Sequence, residues 1–374
     1  MTPAAADAAA RLRVFEHALN CSFVERRHEI RALLLALVAR EHVLLLGDPG
    51  TGKSALTNAF AAALSGRFFG VLMTRFSVPE EVFGPISLVG LEQDQYRRVV
   101  DGYLPTATVA FLDEVFKANS AILNSLLTIL NERAYDNGGT RSRVPLELAV
   151  GASNELPEDS ALDALYDRFL VRRWVCPVAD RDALRRLLLT RGEPTSPGPI
   201  APDDLAAVRG LADAVIVPDD VVDAILDIKD ALIREHGVSC SDRRWRKMVA
   251  LVRANAALAG RDAAEREDVA VLVDAIWRKP DERPAIAGTV MRIAAPELGE
   301  ATRTLDAAIE TYNAAMGAVA KRDQNAVGKA NRELKDQRVA VGTLRQSAQV
   351  AEIGGRIEAM QKAVARKFLE MVGA

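Results

Sequence analysis

Apolar positions recur at helical spacing where the chain begins. Ala6–Leu19 reads as a short helix. Glu25–Arg40 reads as an amphipathic one, with Ile30, Leu33, Leu34 and Leu37 in helical register. The pattern then changes. Val43-Leu44-Leu45-Leu46 is an unbroken apolar run that stops at Gly47, the mark of a strand covered on both faces of a parallel sheet. Helical character returns over Ala55–Leu64. Val71–Phe76, Val109–Leu112, Leu146–Ala152 and Val171–Val175 read as four further strands, and Ala121–Leu130 as a helix between them. Two segments alternate about a turn: Leu88–Leu104 around Gln93-Asp94-Gln95, and Arg133–Pro145 around Asn137-Gly138-Gly139. Each is expected to be a β-hairpin insert.

Beyond residue 191 the character shifts. Pro194, Pro197, Pro199 and Pro202 mark a linker. Asp204–Trp277 is helical throughout, and Lys279–Pro284 is a second break. After it, Leu305, Ile309, Tyr312, Met316 and Val319 recur at helical spacing, as do Ile353, Ile357, Met360, Val364 and Phe368. The expected division is an α/β domain over residues 1–191 carrying both hairpins, a linker at 192–203, an all-α domain at 204–278 and a helical bundle or arm at 285–374. No repeat of the solenoid kind is visible.

Composition narrows the reading. The 374 residues are 49% hydrophobic but only 5% aromatic, so Ala, Leu and Val must fill the core, and such a mixture favours helices. Lys and Arg number 48 against 51 Asp and Glu. With no basic stripe, DNA or RNA is not the default partner. Cys21, Cys176 and Cys240 are too scattered for a disulfide framework or a zinc site and read as small buried apolar residues. His17, His28, His42 and His236 show no ligand spacing. Met1–Ala10 lacks the basic start of a signal peptide, and Ala32–Ala39 is far short of the ~20 residues that span a bilayer. A soluble cytoplasmic protein with no membrane span is expected.

The chemistry concentrates at the ends of the expected strands. Gly47-Asp48-Pro49-Gly50-Thr51-Gly52-Lys53-Ser54 matches the full P-loop pattern, between a strand and a helix. Its glycines let several N–H groups converge on one anion, and the following helix turns its positive end to the same place. Lys53 adds a cation for the outer phosphates of ATP, and Ser54 a hydroxyl for Mg²⁺. The nucleotide-binding set is Asp48, Pro49, Gly50, Thr51, Gly52, Lys53, Ser54 and Ala55. Val109–Leu112 is followed by Asp113 and Glu114. Asp113 can hold Mg²⁺ through water, and Glu114 can orient and deprotonate an attacking water, with a solvated strand end as the plainer alternative. Asn154 ends the next strand with a neutral amide that bonds the water or the γ-phosphate, or else caps a helix. Arg168, before the fifth strand, is a candidate arginine finger worth about 10³–10⁵ in rate, with Arg172 and Arg173 as competitors and a surface ion pair as the plainer alternative. Ser241-Asp242-Arg243-Arg244-Trp245 opens a helix from which an arginine can close over the phosphates. Arg243 is favoured and Arg244 is the alternative.

In this order the motifs resemble an AAA+ ATPase of the MoxR group, most closely its RavA branch. The closer match is carried by Met73–Pro85, Gly102–Pro105, Ile122–Leu127, Ala152–Pro157, Ala164–Arg168 and Ser241–Trp245, and the resemblance covers about residues 8–280. It implies an αβα sandwich with a parallel sheet and an all-α lid, and it implies that the two hairpins are the family's helix-2 and pre-sensor-1 inserts. Further implications are Phe23 and Val24 at the adenine, Asn154 as sensor 1, Arg243 as sensor 2, a hexameric ring with ATP between subunits, and a von Willebrand factor A domain partner for chaperone-like remodelling of a protein client. Two other readings are a nucleic-acid motor on the same core and a nucleotide-gated scaffold with little turnover. The C-terminus departs from the RavA pattern: Leu298–Ala374 reads as helices only, where RavA proteins insert a β-rich module.

Overall fold

In the computed structural model, which describes residues 3–157, 159, 162–190, 196–320, 323–344 and 348–372, two long helices come first: α1 (Pro3–Ser22) and α2 (Arg27–Ala39). The apolar run then forms strand β1 (Val43–Leu46), every residue of it fully buried. The chain continues through α3 (Lys53–Ala61), β2 (Phe68–Leu72), the short helices α4 (Pro79–Phe83) and α5 (Leu88–Glu92), β3 (Val109–Asp113), α6 (Ser120–Glu132), β4 (Ala134–Asn137), β5 (Thr140–Arg143), β6 (Leu148–Ser153), α7 (Asp163–Arg168) and β7 (Val171–Trp174). Then come α8 (Arg181–Leu189), α9 (Pro202–Ala214), α10 (Asp219–His236), α11 (Asp242–Leu258), α12 (Val273–Ile276), α13 (Arg283–Ala294), α14 (Pro296–Ala320), α15 (Gln324–Thr343) and α16 (Ala348–Val372). The chain divides into two compact units, Met1–Ile286 and Ala287–Ala374.

The five-stranded parallel sheet has the order β2-β3-β6-β1-β7. Its register sets the site. Leu46 lies level with Ser153 and Trp174, Leu72 with Asp113, and Leu112 with Gly151, so β1, β3 and β6 end side by side. Gly47 turns the chain out of the sheet at φ 137°, and a Cβ there would stand 2.3 Å from the carbonyl oxygen of Val175. Only glycine fits this close approach.

Helices α9–α12 share the first unit with the sheet. Arg11 of α1 grips Asp204 through two bonds of 2.7 and 2.6 Å, and Arg40 grips Asp213 through two of 2.9 Å. Arg209 reaches back to the Leu37 carbonyl at 2.6 Å. The second unit is a bundle of α14, α15 and α16 around Leu305, Val327, Leu334, Val341, Ile357 and Val364. One apolar stripe per helix faces inward, the arrangement that makes such helices stable.

Several expectations are corrected. The first hairpin is absent: Leu88–Glu92 is helical because the Ser87 hydroxyl accepts the Gly90 N–H at 3.1 Å and caps the turn. The segment's strand-like contact is a single bridge between Ile86 and Arg98. Asn137, at the tip of the real hairpin β4–β5, binds the Arg98 N–H at 2.7 Å and its carbonyl at 3.0 Å. The second strand is Phe68–Leu72 and not Val71–Phe76, since Ser77 Oγ takes the Thr74 N–H at 3.0 Å and folds that stretch into a turn. The described part of the linker is not free: Ile200 pairs with Leu64, its N–H reaches Ala63 O at 2.7 Å, and α9 already begins at Pro202. Pro194 lies outside the described residues. Cys21 and Cys176 are exposed and Cys240 is half-buried, because all three stand at or beyond the ends of helices and strands.

Candidate functional site

The loop after β1 bends with Gly50 at φ 78° and Gly52 at φ 84°, in the left-handed region that favours glycine, and open space lies where their Cβ atoms would be. Lys53 starts α3 directly, so the first N–H groups of that helix have no partner within it and point with the positive end of its dipole into this space. The Lys53 side chain is buried and folded over the loop. Its Nζ donates to the carbonyls of Gly47 at 2.6 Å and Asp48 at 2.9 Å and to Asn154 Oδ1 at 3.1 Å. Burial lowers its pKa, against the opposing charges of Asp113, Glu114 and Asp48.

Glu114 follows β3 in a left-handed conformation, φ 51°, a strained geometry for a residue with a side chain. Asp113 Oδ1 accepts the Glu114 N–H at 3.0 Å. The Glu114 carboxylate is held at both oxygens: Asn154 Nδ2 donates to Oε1 at 2.7 Å, and Lys117 Nζ stands 3.4 Å from Oε2. The sheet therefore brings Lys53, Glu114 and Asn154 into one hydrogen-bonded chain, with Asp113 beside it. Ser54 is exposed on the first turn of α3. Backbone donors and an ammonium group for phosphates, with a hydroxyl and a carboxylate for a cation, form a donor set that fits a Mg²⁺-bound nucleoside triphosphate.

Sequence reasoning missed Arg26. Its guanidinium is buried and donates twice to the Thr51 carbonyl, Nε at 3.1 Å and Nη2 at 2.9 Å, clamping the phosphate loop. This contact also places buried Phe23 and half-buried Val24 in a segment tied to that loop. Next to it, Glu25 accepts the N–H groups of Ala179 and Asp180, both at 2.9 Å, at the start of α8.

The arginines separate by environment. Arg172 is fully buried, donates to Trp277 O at 2.6 Å and lies 3.9 Å from the centre of the Tyr166 ring; burial, then the charge of Arg244, pushes its pKa down to about 9. Arg173 is buried against Asp274 at 2.6 Å and Glu29 at 3.4 Å. Both are committed inside the chain. Arg168, at the end of α7, is half-buried and its Nε makes no hydrogen bond among the described residues. Burial and then the charge of Arg243 hold its pKa below the usual value. Arg244 is buried and bound to the carbonyls of Ala275 and Leu170, each at 2.7 Å, whereas Arg243 is exposed and reaches Asp167 Oδ2 at 2.8 Å.

Among the described residues, no helix is long and apolar enough to cross a membrane.

A parallel sheet with a P-loop after its β1 strand, paired acidic residues after β3, an amide after β6 and a helical lid defines the nucleotide-binding core of an AAA+ protein. Residues 10–196 match the MoxR domain of the MoxR-vWA-beta-propeller ternary systems, and residues 220–290 match the AAA lid domain. The chain belongs to the MoxR family of AAA+ proteins. It is 41% identical to the Uncharacterized protein MJ0812 of Methanocaldococcus jannaschii over 276 residues, 74% of each chain. It is 24% identical to the Chaperone MoxR1 of Mycobacterium tuberculosis over 269 residues, 67% of this chain and 70% of that one. The crystal structure of a putative ATPase from Cytophaga hutchinsonii superimposes with a TM-score of 0.63 at 18% identity, covering 78% of this chain and 96% of that one, which establishes the shared fold.

Proposed function

We propose that this protein is a Mg²⁺-dependent ATPase of the MoxR group, working as a ring of identical subunits in chaperone-like remodelling. The carrying observation is the hydrogen-bonded chain Lys53–Asn154–Glu114 across the ends of β1, β6 and β3. Phe23 and Val24 hold the adenine, and the loop from Asp48 to Ala55 holds the phosphates. Ser54, and Asp113 through water, would hold Mg²⁺, which would supply positive charge against the outer phosphates. Glu114 takes the proton of the attacking water, and Asn154 orients that water against the γ-phosphate. Arg243 reaches the phosphates from the lid of the same subunit, and Arg168 from the neighbouring one.

The family to which residues 10–196 belong is described by a ternary system with a von Willebrand factor A protein and a β-propeller, which supports a von Willebrand factor A domain partner here. A relative that bears the name chaperone supports remodelling of a protein client. The hexameric state and the RavA affinity rest on the motif resemblance.

The test is Glu114→Gln. It is expected to keep ATP binding and to lose turnover at least roughly tenfold, because it removes a base and leaves the phosphate donors in place. Hydrolysis at the wild-type rate would overturn the assignment.

A further inference from the structure

Asp167 accepts from two neighbouring arginines that differ in freedom. Arg244 Nη1 meets Oδ1 at 3.2 Å, and Arg243 Nη2 meets Oδ2 at 2.8 Å. The Arg244 side chain is 5% exposed and fixed by two backbone carbonyls. The Arg243 side chain is 53% exposed. One carboxylate thus holds one arginine that is locked in place and one that is free to leave. Burial pushes the Asp167 carboxyl up, but the Arg243 bond and the charges of Arg244 and Arg172 outweigh it and keep the group ionised.

The helix that carries Asp167 is tied to the site by another route. The Tyr166 ring packs on Phe116, two residues past Glu114, at 5.9 Å between centres, and its hydroxyl donates to Arg278 O at 2.5 Å. Arg168 follows Asp167 directly. It feels the charge of Arg243 as repulsion and that of Asp167 as attraction.

We propose that Asp167 is a positioning residue that holds Arg243 in reserve until a γ-phosphate competes for it. This rests on the reading of Arg243 as the lid arginine. The exchange is feasible because an exposed ion pair is weak, whereas a phosphate offers the guanidinium more charge and a better-matched fork. When Arg243 leaves, Asp167 keeps Arg244 alone.

The test measures ATP and ADP affinity in the full chain carrying Glu114→Gln, which suppresses turnover. Added to it are Asp167→Asn, Arg243→Ala, or both. Asp167→Asn frees Arg243 and is expected to tighten ATP binding by about two- to five-fold while leaving ADP unchanged, the size of an exposed pair lost from the competing state. Arg243→Ala weakens ATP binding, and in that background Asp167→Asn gives no gain. A merely structural role would weaken ATP and ADP alike. Unchanged or weaker ATP binding in Asp167→Asn, with Arg243→Ala still weakening it, overturns the holding role of Asp167 and leaves the lid arginine standing. Unchanged ATP binding in Arg243→Ala overturns both. If Asp167→Asn unfolds because buried Arg244 loses its counter-charge, Asp167→Asn with Arg244→Gln removes that charge while keeping amide donors, and the same tightening for ATP is required of it.

Discussion

Asn154 joins Glu114 to Lys53: its Nδ2 donates to Glu114 Oε1 at 2.7 Å and its Oδ1 accepts from Lys53 Nζ at 3.1 Å. The amide orientation follows from its partners, since a carboxylate accepts and an ammonium donates. Asn154→Asp sets a carboxylate against Glu114 and removes the donor. Turnover is expected to fall about a hundredfold, the scale seen when one oriented donor is lost, with a smaller change in ATP affinity. Steady-state rates and equilibrium binding check this. An unchanged kcat would remove Asn154 from the mechanism.

Arg26→Ala is expected to weaken ATP binding by about tenfold and to cost about 1–3 kcal/mol of stability, because it leaves the Thr51 carbonyl unpaired and frees the phosphate loop. Arg26→Lys recovers only part, since an ammonium lacks the planar fork. Calorimetric binding and thermal melting separate the two effects. Unchanged ATP affinity with reduced stability would make Arg26 a packing residue alone.

If Arg168 acts on a neighbour, activity per subunit rises with protein concentration as rings form. A mixture of Arg168→Ala and Glu114→Gln then recovers activity that neither has alone, because some interfaces carry one intact Glu114 and one intact Arg168. The measurement is ATPase rate against mixing ratio, with mixed assemblies verified by native mass. No recovery in verified mixed rings would show that Arg168 does not act in trans.

His42 is completely buried, donating from Nε2 to Leu130 O at 3.0 Å and accepting the Ala149 N–H at Nδ1 at 3.1 Å, so it is held neutral. Burial, and then the charge of Arg133, drives its pKa down to about 3. The unfolded chain binds this proton near pH 6.5. The stabilisation is therefore complete above about pH 6.5 and is lost as pH falls toward 3, by about 2 kcal/mol between pH 7 and pH 5. His28 shifts in the same direction, so the comparison is with His42→Gln, whose stability is expected to fall less over that interval. Equal slopes in urea titrations would contradict the assignment.

The phosphate loop and the strands that carry it were legible because each rests on local rules. Val43–Leu46 is apolar at every position, and Gly47–Ser54 admits few other conformations. The edge of the sheet was less so. At β2, Phe68 and Leu72 are exposed, and the boundary was set by a side-chain bond from Ser77 that periodicity does not record. Leu88–Leu104 alternates like a hairpin, yet the Ser87 cap and the docking of Asn137 on Arg98 decide it. Arg26 and Asp167 carry no signature, since what they do depends on Thr51 and Arg243, residues far away in sequence that the fold brings near.

The place of β1 in the sheet has a consequence for how the molecule is made. Val43 finds Val150 on one side and Val171 on the other, so the strand has no partner close to it in the chain. Such pairing is slow, because loop closure must be met before any contact forms, whereas α14–α16 form a bundle of sequential helices, the topology that folds quickly. During synthesis the strand that bears the phosphate loop has no neighbour until β6 has emerged, and gains its second only with Trp174. Over that interval Val43–Leu46 is an uncovered apolar segment, open to association with other chains. Nucleotide gives no protection then, since a ligand stabilises only the state that binds it. The phosphate loop hangs from β1, so its shape depends on the burial of these four leucine and valine side chains.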